Sequence, residues 1–324
     1  MKKLSIWKLR LSILGTIALI IGLSTLFITV ILMWLQVDLL AIGMFVVLFN
    51  IGQWLLAPYL IDAMYRVKEA TPSEHPELHS MVERLSQKSG ITKPKVMIAN
   101  IPVPNAFAYS SPIAGSKVAV TSELLKTLDD GEVEAVLGHE LGHLKHKDVQ
   151  TMMFVSILPA LFYYIGYSMM LSSMFGRRSN RDSGSGAVVI GVASLAIYWI
   201  LTMFTLYLSR LREYFADRHS ASIVDEGSRK LSEALAKIQY STGRMKRMNK
   251  QAGSFSSFKA LFISDPDRAE TDAISIAQAR GYTTDRSLVE EVLRKQVTPA
   301  DRILELFSTH PNIVKRLKAL QELA

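Results

Sequence analysis

The chain has no cysteine among its 324 residues. Disulfides and thiolate metal sites are therefore excluded, and any bound metal must be held by histidine and carboxylate. Charge is missing altogether from four long stretches: Leu11 to Val37, Leu39 to Ile61, Val149 to Phe175 and Ala187 to Ser209. Each is long enough for a bilayer-crossing helix, which needs about 20 apolar residues. With so much of the chain apolar, little remains for a large soluble core. The pattern reads as a membrane protein with one modest polar domain.

The charge that is present falls beside those stretches. The formal net charge is +8, and "MKKLSIWKLR" precedes the first stretch while Arg66 and Lys68 follow the second. Lys145 and Lys147 precede the third, and Arg210 and Arg212 follow the fourth. Basic residues placed this way anchor a chain on anionic lipid, so membrane lipids are the expected partner and nucleic acid is not. The first stretch is too long for a signal-peptide core and lacks a small-residue cleavage site, so it reads as a retained span. Only Gln36 to Asp38 separate it from the second, which makes the pair a hairpin with both outer ends on one side. The bias of lysine and arginine puts that side in the cytoplasm, with the plasma membrane as the expected location. The linker "GRRSNRDSGSG" at 176–186 runs against the rule, since its three arginines would face outward.

The expected architecture is mainly α, with four transmembrane helices in two hairpins and an α+β domain carrying a small β-sheet. Residues 1–61 form the first hairpin, 62–148 the first half of the domain, 149–209 the second hairpin and 210–324 the second half. Within the first half, "SEHPELHSMVERLSQKSG" has apolar residues at helical spacing and a terminal glycine. The runs "KVMIAN", "NAFAYS" and "SKVAVT" are strand-like and separated by prolines and Gly115. "LDDGEVEAVLGHELGHLKHK" is then helical, with Asp129 or Asp130 as its cap.

That helix contains His139, Glu140 and His143 as HELGH, a match to HExxH. Histidines four apart share one helical face, so their imidazoles can converge on one ion. Glu140 lies beside that face, where it can take a proton from a water at the ion. A catalytic site needs a third protein ligand. His146 shares the face but lies about 10 Å from His139 along the axis, too far for one ion. "LSRLREYFADRHSA" follows the fourth apolar stretch and carries Glu213 and Asp217 one turn apart. Two crossings return the chain to the side it left, so Glu213 can complete a His, His, Glu set and Asp217 can hydrogen-bond a ligand histidine.

HELGH just before an apolar hairpin, "REYFAD" just after it, "NAFAYS" upstream and "STHPNIVKR" near the end resemble the HtpX-type membrane zinc endopeptidases. Those are related to the CaaX prenyl protease and to a mitochondrial quality-control protease. The resemblance implies a zincin-like gluzincin domain with one Zn2+ per chain, bound by His139, His143 and Glu213, with Glu140 catalytic. It also implies that His310 donates to the reaction's oxyanion with Arg316 supporting it. By the same resemblance, Asn105, Ala106, Phe107 and Ala108 hold an extended substrate by its backbone. The implied role is quality control, acting on unfolded or loop segments of membrane proteins. One departure is that Phe215 and His219 flank Asp217, where smaller or more polar neighbours are expected. The competing expectations are a prenyl-protein processing protease and a non-enzymatic scaffold with a structural zinc. The first needs more spans than four, and the second leaves Glu140 without a purpose.

Overall fold

A computed structural model describes residues 39–175, 181–248, 263 and 285–324. The first expected span, Leu11 to Val37, and part of the 176–186 linker lie outside the described residues. Among these residues three helices are long and apolar enough to cross a membrane, within Val46–Met64, Asp148–Met170 and Gly186–Ile223. The chain divides into two compact units, one containing Leu56–Val149 and Ser209–Ala324, the other residues 39–55 and Gln150–Leu208.

The polar unit is built on a four-stranded sheet. Its strands are β1 (Val67–Glu69), β2 (Lys95–Ala99), β3 (Ala106–Ser111) and β4 (Gly115–Thr121), in the order β1-β2-β4-β3. β2 runs parallel to β4, with Val96 opposite Val118, and the other two pairings are antiparallel. β3 is therefore an edge strand bonded only to β4. The turn between them is made by Gly115, at φ 71°, a left-handed conformation that glycine adopts without steric cost.

α1 (Leu39–Met64) leads into β1. Its Asp62 takes hydrogen bonds from Tyr109 Oη at 2.6 Å and Lys117 Nζ at 2.5 Å, fastening the helix end to β3 and β4. α2 (Pro76–Ser89) starts on a proline, whose missing N–H is unneeded there, and stops at Gly90 with φ 67°. A short α3 (Ser122–Thr127) follows β4, and then comes the HELGH helix, α4 (Asp130–Lys145). Its cap is Asp129, in a reciprocal capping box with Glu132. Leu78, Val82 and Leu85 of α2, Val118 and Val120 of β4, and Val133, Val136, Leu137 and Leu141 of α4 form one core. α7 (Gly227–Met248), α8 (Asp285–Arg294) and α10 (Ile313–Gln321) add Leu231, Leu235, Val292 and Leu317 to it. α9 (Pro299–Leu306) precedes α10.

In the apolar unit, α5 (Asp148–Phe175) packs on the apolar part of α6 (Arg181–Ile223) through Val155, Phe162, Ile165, Leu201 and Leu208. The sequence suggests one span ending at Ser209 and a fresh helix carrying Glu213. The structure instead has one unbroken helix to Ile223, since a drop in hydropathy at Arg210 does not interrupt helical hydrogen bonding.

Candidate active site

The HELGH histidines meet α6 where two glycines let the helices close up. A Cβ on Gly142 would lie 3.1 Å from Ala216 Cα and 3.2 Å from His219 Cβ, and one on Gly138 3.0 Å from Ser220 Oγ. This close approach brings Glu213 to the imidazoles. Its carboxylate oxygens lie 3.7 Å from His139 Nε2 and 3.5 Å from His143 Nε2. One ligand atom from each of His139, His143 and Glu213 can be chosen so that all lie within 4.8 Å of one another.

Each imidazole is aimed by a carboxylate behind it. His139 Nδ1 lies 2.9 Å from Asp217 Oδ1, and His143 Nδ1 lies 2.6 Å from Asp148 Oδ2. Each carboxylate is in turn held by an arginine. Arg316 forks onto Asp217 at 2.9 and 2.6 Å, and Arg212 Nε reaches Asp148 Oδ1 at 3.0 Å. With both Nδ1 atoms turned to carboxylates, the two Nε2 atoms face each other at 3.2 Å beside the Glu213 carboxylate. A buried group of acceptors arranged this way calls for a cation, and imidazole, imidazole and carboxylate is a donor set suited to zinc. The residues fit the metal.

Protonation reflects the same demand for positive charge, which without a metal is met by a proton on His143 that metal binding would displace. Burial lowers His139 from the ordinary imidazole value. Burial also opposes charge on His143, but the Asp148 hydrogen bond and the Glu213, Asp148 and Glu140 carboxylates outweigh it and raise it to about 9. Glu140 is 4% exposed. Burial first, and then the Glu213 charge, push it up to about 7, against His143, the Ala108 N–H and Arg316.

The structure gathers His139, Glu140, His143, Glu213, Asp217, His310 and Arg316 in one place. His310 Nδ1 is 3.0 Å from Glu213 Oε2. Two expectations need adjustment. Arg316 does not brace His310: its guanidinium goes to Asp217, to the Ile263 carbonyl at 2.8 Å and to Glu213 Oε2 at 3.2 Å. Asn105 precedes β3 and is fully buried, with its Oδ1 accepting from Ile263 N at 2.9 Å. Its backbone groups are also taken by the fold: its N–H donates to Thr121 Oγ1 at 3.0 Å and its C=O accepts from Thr121 N at 2.9 Å. Ala106, Phe107 and Ala108 do lie on the edge strand, where the Ala108 N–H donates to Glu140.

Two further side chains stay out of the ligand set. The His146 ring packs on Phe215 and His219, and His219 Nε2 lies 2.9 Å from Ser89 Oγ. That packing accounts for the large neighbours of Asp217. A second carboxylate group, Asp129, Glu132 and Asp285, already surrounds a cation, since Lys237 Nζ lies 2.8 Å from both Glu132 and Asp285.

Sequence reading missed Asp148 and Arg212. Lys147 takes a left-handed turn at φ 53°, which separates α4 from α5 and returns Asp148 toward His143. Nothing in the residue types marks that reversal. The one available signal was a lone aspartate between a lysine-rich helix end and an apolar run.

The chain is similar over most of its length to known proteases. The profile of Peptidase family M48 matches residues 72–324. A Protease HtpX homolog of Thermoplasma acidophilum is 36% identical over 283 residues, 86% of this chain and 83% of that protein. One from Aeropyrum pernix is 38% identical over 291 residues, 89% of this chain and 86% of that one. The crystal structure of S. mikatae Ste24p superposes with a TM-score of 0.56 at 17% identity, covering 96% of this chain. This chain spans 65% of that protein's length, just under two thirds. Motif, ligand geometry and kinship converge: the chain belongs to peptidase family M48, among its HtpX-type proteases.

Proposed function

We propose that the protein is a zinc-dependent endopeptidase of the plasma membrane that cuts exposed loops and unfolded segments of membrane proteins on the cytoplasmic side, as a quality-control enzyme. The observation that carries the reading is the convergence of His139, His143 and Glu213 with Glu140, a buried carboxylate that is not needed as a ligand. A structural metal site has no use for such a group. The membrane setting is supported by the three long apolar helices and by only two residues separating α4 from α5.

When bound, zinc supplies the Lewis acidity that polarises a peptide carbonyl and acidifies a water. Glu140 takes the proton from the attacking water and returns it to the leaving amine, a task suited to a carboxyl poised near neutrality. His310 faces the same space and donates to the developing oxyanion. Arg316 is a positioning residue, holding Asp217 against His139. The outer edge of β3 offers backbone groups to an extended peptide, an arrangement that would read little of the substrate's sequence. Such a site suits substrates recognised by being unfolded.

The test is cleavage of an unfolded casein-like protein and of a prenylated peptide by detergent-purified protein. Glu140→Gln should retain zinc and lose cleavage of the casein-like substrate. His310→Ala should lower kcat by about 100-fold, in line with other losses of an oxyanion donor. Cleavage confined to the prenylated peptide would favour the processing enzyme, and unchanged proteolysis by zinc-loaded Glu140→Gln would defeat the mechanism.

A further inference from the structure

Outside the three apolar helices, the described residues expose few large hydrophobic side chains: Ile113, Leu323 and a group of four at Ile303 (59% exposed), Leu304 (58%), Leu306 (51%) and Phe307 (59%). The four sit on α9 and the residue that ends it. α9 is otherwise well built, capped by Thr298 and started by Pro299, with Glu305 turned inward. Glu305 Oε1 accepts from Asn312 N at 3.2 Å and its Oε2 pairs with Lys315, so the inner face of the helix is committed. A contiguous apolar group left outward on a well-capped helix marks a contact surface.

The partner follows from Arg210. It is the first charged residue after the apolar run 187–209, so it marks the depth at which the chain leaves hydrocarbon. Its Nη1 donates to the Ser308 carbonyl at 2.7 Å and reaches that of Leu306 at 3.3 Å. The guanidinium that belongs at the membrane surface thus grips the backbone on both sides of Phe307. Arg302, exposed on the same helix, adds a cation for anionic headgroups.

We propose that α9 and Phe307 dip into the bilayer surface as an interfacial anchor, with the lipid acyl–headgroup boundary as their occupant. The anchored turn also carries His310, whose backbone N–H donates to Ser308 Oγ at 3.2 Å. Lipid contact therefore holds the turn that places His310 against Glu213. The proposal rests on the chain's membrane character and not on its being a protease.

The absence of cysteine makes the test clean. Phe307→Cys, and Leu304→Cys as a second probe, each carry a nitroxide in vesicles of phosphatidylcholine and phosphatidylglycerol, with exposed Gln321→Cys as the aqueous control. Expected is high collision with oxygen and low collision with a water-soluble nickel chelate at 304 and 307, and the reverse at 321. Chelate access at 304 and 307 equal to that at 321 would overturn the proposal. Shielding from both reagents, with spin–spin broadening that vanishes on dilution with unlabelled protein, would also overturn it and assign the face to a second copy of the chain.

Discussion

At the scale of single residues, one pattern occurs twice: imidazole, carboxylate, arginine, in His139–Asp217–Arg316 and in His143–Asp148–Arg212. The carboxylate fixes which nitrogen carries the proton and so which one is free for a metal. Asp148→Asn keeps size and removes charge, and should weaken metal affinity about 10 to 100-fold, as should Asp217→Asn. Glu213→Gln alters the proposed third ligand itself and should weaken metal affinity further. Metal retained through gel filtration against a competing chelator ranks the three variants, and wild-type retention by Asp148→Asn would show its contact to be idle. Arg316 is 1% exposed, so Arg316→Ala strands a buried Asp217 and should cost about 3 to 5 kcal/mol in denaturant unfolding. Arg316→Lys should recover little, because an ammonium lacks the planar fork.

Between elements, what counts is how closely α4 and α6 lie. Gly142→Val would put two methyls where Ala216 and His219 now sit within 3.3 Å, pushing Glu213 away from the imidazoles. The variant should lose metal as well as stability, and a thermal melt with and without added zinc would show both. Ala108→Pro deletes the edge-strand N–H that meets Glu140 while leaving the metal ligands alone. It should therefore keep zinc and lose turnover, and full activity would argue against a role for that edge.

Elements differed in how much of them the residues declared. HELGH was legible because its meaning is local, two histidines one turn apart. Glu213 was legible because two apolar crossings must return the chain to the side it left. Asp148 was not, since its placement depends on a left-handed Lys147, a backbone event at a residue type that gives no notice of it. β1 was missed for a related reason: three residues, two of them charged, form a strand only by borrowing register from β2. The continuation of α6 past Arg210 was hidden because hydropathy reports the solvent around a helix and says nothing of where its hydrogen bonding stops. Arg316 was placed in the site by resemblance, but its grip on Asp217 and not on His310 is a fact of packing.

For the molecule as a whole, the metal should act as a folding ligand. An ion that binds the native state and not the unfolded chain stabilises by mass action, about 2.7 kcal/mol at a hundredfold excess over Kd. Chelator should lower the melting temperature of the Glu140→Gln protein, chosen to prevent self-digestion, and added zinc should restore it. An unchanged melt would mean that the ion is peripheral to the fold. The site also obeys a rule of electroneutrality. In the metal-loaded state, where His143 must shed its proton to bind and the dication favours ionised Glu140, Glu140, Glu213, Asp148 and Asp217 bring four negative charges, and Arg212 and Arg316 return two positive ones. The remainder is the charge of one dication, so a monovalent ion leaves the cluster in deficit and a trivalent one in excess. Neutralising Asp148 and Asp217 together, as asparagines, removes the negative charge that the dication offsets, and the melt of that double variant should respond less to chelator than that of either single variant.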